Sequence, residues 1–165
     1  MKFESLHELY VAELRDLYDA ERRILKALPK VIENTASPEL QTALSNHLEE
    51  TKGHVTRLEQ VFELHHEEAK AETCDGMKGI LAEGEDILDH DENREVRDAG
   101  IIGACQKVEH YEIASYGAVR TWAEQMGHTK AMQILQQTLE EEKKADKKLT
   151  EIAAKLNPQS VRHAG

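Results

Sequence analysis

The stretch IIGACQKVEHYEIASYGAVRTWA, residues 101–123, places Ile101, Cys105, Val108, Glu112, Tyr116, Val119 and Ala123 at intervals of three and four. That spacing gathers them on one face of an α-helix and makes the face apolar, except that a carboxylate stands in its middle. A lone glutamate of this kind is usually a surface residue on a misread helix face. The rest of the chain decides against that reading.

Two other segments repeat the pattern. Tyr10, Leu14, Leu17, Glu21, Ile24, Leu28 and Val31 form a second stripe with one acid in it. Met132, Leu135, Leu139, Glu142, Asp146, Leu149 and Ala153 form a third, with two acids one turn apart. A fourth segment carries Leu44, Leu48, Thr51, Val55, Leu58 and Phe62, flanked by Glu50 and His54, which are expected to turn inward along one edge; His47 lies on the same side one turn earlier. At an offset of 91 residues Leu28 falls on Val119, Leu44 on Leu135, Leu48 on Leu139 and Glu21 on Glu112, the mark of an internal duplication.

Punctuation between these stripes sets the architecture. Ser5 and Glu8 form a capping box that starts a helix running to Asn34, and Pro38 suits the first turn of the next, which is expected to reach His66. Met77 to His90, interrupted by Gly79 and Gly84, reads as a minor helix in a crossover. A long helix over 93–126, capped by Gly127, and another over 129–156 follow. The expected fold is all-α: a ferritin-like four-helix bundle over residues 1–157, two hairpins joined by a long crossover containing a short extra helix, with 158–165 as a flexible tail.

Composition agrees and excludes other classes. The chain of 165 residues is rich in helix formers, only 4% aromatic, and carries a net charge of -11, which disfavours nucleic acid and anionic membrane as partners. No signal core or membrane-spanning run is legible, so a cytoplasmic protein is expected. Cys74 and Cys105 fit no zinc spacing and read as reduced thiols.

The acids converge in height. Glu21 stands 15 residues before Ala36 and Glu50 stands 14 after it, while Glu112 and Glu142 lie 16 before and 14 after His128. All four therefore sit about 21 to 24 Å from their turns, at about 1.5 Å per residue. The lysines around Glu142 fall mostly on the outer face, and Arg22 and Arg23 lie off the first stripe. Buried carboxylates without cations would protonate or open the core, so a pair of metal ions is expected, held by Glu21, Glu50, His54, Glu112, Glu142 and Asp146. Glu109, one turn before Glu112, is an even candidate; His65, His66 and His110 are expected to be solvated. Tyr116 should sit beside the metals and either fill the core or bond a ligand carboxylate.

The segments Tyr18-Asp19-Ala20-Glu21, His47-Leu48-Glu49-Glu50-Thr51, Lys107 to Gly117 and Leu139-Glu140-Glu141-Glu142-Lys143 resemble the YciE/YciF-type ferritin-like family of bacterial stress proteins. That resemblance implies a ferritin-like bundle, a homodimer and a di-iron or mixed-metal centre. The general ferritin-like pattern has Glu-x-x-His on two helices, whereas this chain offers Glu50-x-x-x-His54 and Glu142-x-x-x-Asp146, an oxygen-rich set suited to iron first, with manganese or zinc as alternatives. The function expected is a dinuclear metal protein of stress defence that oxidises ferrous iron or consumes oxygen or peroxide. The alternative is a non-catalytic metal-binding or structural bundle that engages a protein partner.

Overall fold

The structure is a computed structural model that describes residues 3–89 and 93–161. Five helices follow one another: α1 (Leu6–Asn34), α2 (Pro38–Leu64), α3 (Asp75–Leu88), α4 (Arg94–Gln125) and α5 (Thr129–Val161). Helices α1, α2, α4 and α5 form a ferritin-like bundle, and α3 lies across the crossover against α1 and α4. None of the helices is long and apolar enough to cross a membrane.

Each start has its chemical reason. Ser5 Oγ accepts from Glu8 N, Ser37 Oγ from Leu40 N ahead of Pro38, and Asn93 Oδ1 from Glu95 N and Val96 N, so backbone donors that the first turn leaves open are filled. Gly127 takes a left-handed φ of 77° and turns α4 into α5. Two ends differ from the sequence expectation. The second helix stops at Leu64, because His66 turns left-handed (φ 56°) and Glu67 N bonds back to Phe62 O. The last helix passes through Pro158 to Val161, since a proline so near a helix end forfeits a single exposed hydrogen bond. Of the expected tail, 158–161 is thus helical, and 162–165 lies outside the described residues, as does His90 at the expected end of the minor helix. His65 is half-buried rather than solvated, with Nε2 3.2 Å from the Tyr10 hydroxyl and its ring edge-on to His128.

The crossover helix is tied down by polar anchors. Asp19 accepts from Cys74 N, Cys74 Sγ caps Met77 N, and the Tyr111 hydroxyl of α4 bonds both Asp16 and Cys74. Gly76 lies under the Tyr111 ring, where a Cβ would come within 2.8 Å of Cε2.

The apolar core is divided in two. One cluster gathers Tyr10, Leu14, Leu17, Phe62, Val119 and Leu135; the other gathers Ile24, Leu28, Leu44, Met77, Ile101 and Ile152. Between them lies a polar layer at the level of Glu21, His54 and Glu112, all fully buried.

The alignment of α4 against the first hairpin rests on Asp98. Its carboxylate, 3% exposed, accepts from Ala36 N at 2.9 Å and Ser37 N at 2.7 Å in the α1–α2 turn. Replacing Asp98 with Ala removes the charged acceptor of two part-buried amide donors and should cost about 1 to 3 kcal/mol. Urea unfolding should show that loss, with a smaller one for Asp98→Asn, which keeps one acceptor.

Candidate metal centre

Four helices supply the polar layer. Glu21 comes from α1, His47 and His54 from α2, Glu109 and Glu112 from α4, and Glu142 from α5, every one of them buried. Their donor atoms fall into two groups. His47, Glu109, Glu112 and Glu142 can bring one ligand atom each within 4.8 Å of one another, and so can Glu21, His54 and Glu142. Glu142 belongs to both.

The layer is short of hydrogen bonds. Glu21 Oε2, Glu109 Oε2, both oxygens of Glu112, both of Glu142, both nitrogens of His47 and His54 Nδ1 are buried and form none. His54 Nδ1 comes within 2.9 Å of Glu142 Oε1 and 3.3 Å of Glu21 Oε1, close enough for strong attraction but misaligned for a bond. His47 Nε2 likewise stands 3.4 Å from Glu109 Oε1.

What lies outside the layer is well bonded. His54 Nε2 meets Glu141 Oε2 at 3.0 Å, and Glu141 is gripped by Arg57 Nη2 at 2.9 and 2.7 Å. Arg57 also donates to Thr138 Oγ1. A carboxylate that accepts from Nε2–H directs Nδ1 inward, so that an imidazole giving up its Nδ1 proton would present that lone pair to a metal. On the other side the buried Tyr116 hydroxyl donates to Glu21 Oε1 at 2.5 Å, which leaves Oε2 open.

Charge follows the same pattern. Burial, and next Glu142, push the Glu109 and Glu112 carboxyls well above the usual range. Burial alone would lower His54, but Glu142 and Glu21 outweigh it and push the imidazole up to about 10. Burial would raise Glu142 too, yet His54 holds it below its ordinary value. The metal-free layer therefore retains protons that the unfolded chain would release.

The donor set fits two divalent ions. Four glutamates and two neutral histidines are the inventory of a ferritin-like dimetal site. Four ionised carboxylates would offset the charge of two such ions, and Glu142 stands where one carboxylate could serve both. Oxygen and imidazole donors suit iron, manganese and zinc.

Two expected ligands are not brought into either group. Glu50 is exposed, its side chain 47% accessible, with Oε2 3.8 Å from His47 Nδ1. At about 100° per residue, positions seven apart return to within about 20° of each other, so His47 and His54 share the inner line of α2 with Thr51 between them, and Glu50 stands about 60° to the side of His47. Asp146 lies at the α4–α5 seam, 22% exposed, accepting from Gln106 Nε2 and 3.3 Å from His110 Nε2. Its step of four residues from Glu142 carries it about 40° off the inner face. His47 thus supplies the second histidine missing from the sequence reading, and Glu109 joins the layer; the signal that could have found His47 is its seven-residue spacing from His54.

A four-helix bundle with a buried layer of carboxylates and imidazoles that could hold metal defines a ferritin-like fold. The chain belongs to the DUF892 family, a domain of unknown function, which it matches over residues 5–162. It is 43% identical to Protein YciF of Escherichia coli (strain K12) over 154 residues, 93% of each chain. The crystal structure of the E. coli stress protein YciF superposes with a TM-score of 0.89 at 42% identity, covering 92% of this chain and 96% of that one. YcfI from Rhodopseudomonas palustris superposes with a TM-score of 0.87 at 39% identity, covering 89% and 94%.

A pH prediction follows from the raised groups. Glu109, Glu112 and His54 hold protons in the folded, metal-free state above the pH at which the unfolded chain loses them, so stability falls as pH rises through that window. The metal-free protein should be more stable to urea at pH 5.5 than at pH 8.5. Equal midpoints, or the reverse order, would contradict a clustered buried layer.

Proposed function

We propose that this protein binds two divalent metal ions, iron first, with manganese or zinc as alternatives, through Glu21, His47, His54, Glu109, Glu112 and Glu142, and uses them in stress defence to oxidise ferrous iron at the expense of peroxide or oxygen. The observation that carries this reading is the buried layer itself, whose donors lack hydrogen-bond partners on the side where they converge. A solvated acidic patch would be exposed, whereas these side chains are buried, and a structural polar network would have bonded itself. The likeness to a protein described as a stress protein supports the biological setting.

When bound, an iron pair would supply two electrons, which together with two protons from solvent are enough to reduce one peroxide to two waters. This chain's own residues set the conditions. Arg57 fixes Glu141, and Glu141 fixes the tautomer and ring angle of His54. Tyr116 holds Glu21 by one oxygen; burial, and next the adjacent Glu21, push its hydroxyl well above its ordinary value. The apolar clusters on either side limit water.

Two variants test the proposal. Glu112→Ala removes a donor with no structural hydrogen bond of its own and should lose at least one ion per chain by elemental analysis while keeping its helical circular dichroism. Full metal content in that variant would sink the assignment. Tyr116→Phe keeps the ring in the core and frees Glu21 Oε1, so it should retain metal yet oxidise ferrous iron at least several-fold more slowly with peroxide. A parent protein that fills with metal but turns over neither oxidant would favour the non-catalytic reading.

A further inference from the structure

A cavity of about 620 Å³ opens between α1, α3 and α4, and its wall includes His47 and Glu109. It exists because α3 is short and lies across the crossover, with Gly84 in the wall, so α1 and α4 are not packed together along this side. The volume is that of a small-molecule site.

The lining is unusual in two respects. Its apolar part is aliphatic, formed by Ile24, Leu28, Ile80, Leu81, Ile101 and Val108, with no aromatic ring beyond the imidazole of His47. Nothing there would stack on a planar ligand, whereas a flexible hydrocarbon chain would bury its surface well. The rim, by contrast, is cationic. Arg23 and Lys30 are taken up by Asp19 and Glu85, but Arg22, Lys26 and Lys78 also line the opening, and neither lysine has a carboxylate partner among the described residues. A chain with a net charge of -11 has acids to spare for such pairs, so a positive rim here is selective for an anion.

We propose that this cavity binds a medium-chain aliphatic carboxylate, its headgroup at Lys26 and Lys78 and its hydrocarbon directed inward toward His47 and Glu109. The site lies beside the proposed dimetal layer, with the hydrocarbon end of the ligand against His47 and Glu109, and rests on that reading only for what the inner end of the chain meets.

Isothermal titration of decanoate into metal-free and metal-loaded protein tests it. Saturable 1:1 binding is expected in both forms, tighter than octanoate by roughly tenfold for two methylenes. Decylamine should not bind, because the rim repels its charge. The exposed double variant Lys26→Glu/Lys78→Glu should weaken decanoate at least tenfold, and Ala27→Phe, which fills the cavity from α1, should do the same with unchanged metal content. Absence of decanoate binding to protein that holds its metals overturns this inference and leaves the dimetal reading intact. Binding by protein that takes up no metal does the opposite. Equal affinity for decanoate and decylamine, undiminished by charge reversal, also overturns it, as does a dimer in sedimentation that the Lys26→Glu/Lys78→Glu variant dissociates.

Discussion

Everything in this bundle is arranged around four glutamates and two histidines that share one buried layer. Removing a carboxylate from water costs several kcal/mol even after relaxation, and four at close quarters repel one another as well. Arg57 is bonded to Glu141 outside the layer, which leaves the His54 imidazole as the group that offsets Glu21 and Glu142. The metal-free fold can hold the layer only by retaining protons, as the raised carboxyls of Glu109 and Glu112 show. Apolar clusters on either side supply the compensating burial. On the dimetal proposal, metal binding and folding stability would be one equilibrium, because ions that neutralise the layer would stabilise the native state by mass action.

The outer elements read as supports for that layer. Asp98 fixes α4 against the first turn, so Glu109 and Glu112 meet Glu21 and His47 at the right height. Tyr111, Asp16 and Asp19 fasten the crossover helix to α1 and α4 without filling the space beside His47 and Glu109. The cavity and the centre are therefore consequences of the same packing choice. A longer or better-packed crossover would close the cavity and bury the rim lysines, which would then need partners they do not have.

The legible part of the fold was the part governed by local periodicity. Glu21, Glu112 and Glu142 interrupt apolar stripes, so their inward direction follows from spacing alone, and all three are buried. The inner face of α2 carries polar residues at His47, Thr51 and His54, which removes the apolar reference against which an inward residue is recognised. Glu50 then looked as good a donor as His47, although it lies to one side. Asp146 misled for another reason: its position is apolar-like by spacing, but α5 presents that edge to Gln106 rather than to the centre. Contacts between distant segments, such as Asp98 with the first turn or Arg57 with Glu141, leave no periodic trace at all.

The distribution of donors, more than their number, distinguishes this centre. The general ferritin-like arrangement spreads histidines over two helices, each paired with its own glutamate. Here α2 supplies both imidazoles and α4 supplies a pair of carboxylates one turn apart. The two donor groups are consequently unequal: His47 stands with Glu109, Glu112 and Glu142, whereas His54 stands with Glu21 and the shared Glu142. The fuller group adjoins the cavity through His47 and Glu109, and the leaner one is enclosed with Tyr116 against Glu21. Unequal donor sets would hold ions with unequal strength. Since Glu142 belongs to both, a change at either position is felt at the other through one carboxylate, and two ions bound here would act as a coupled pair.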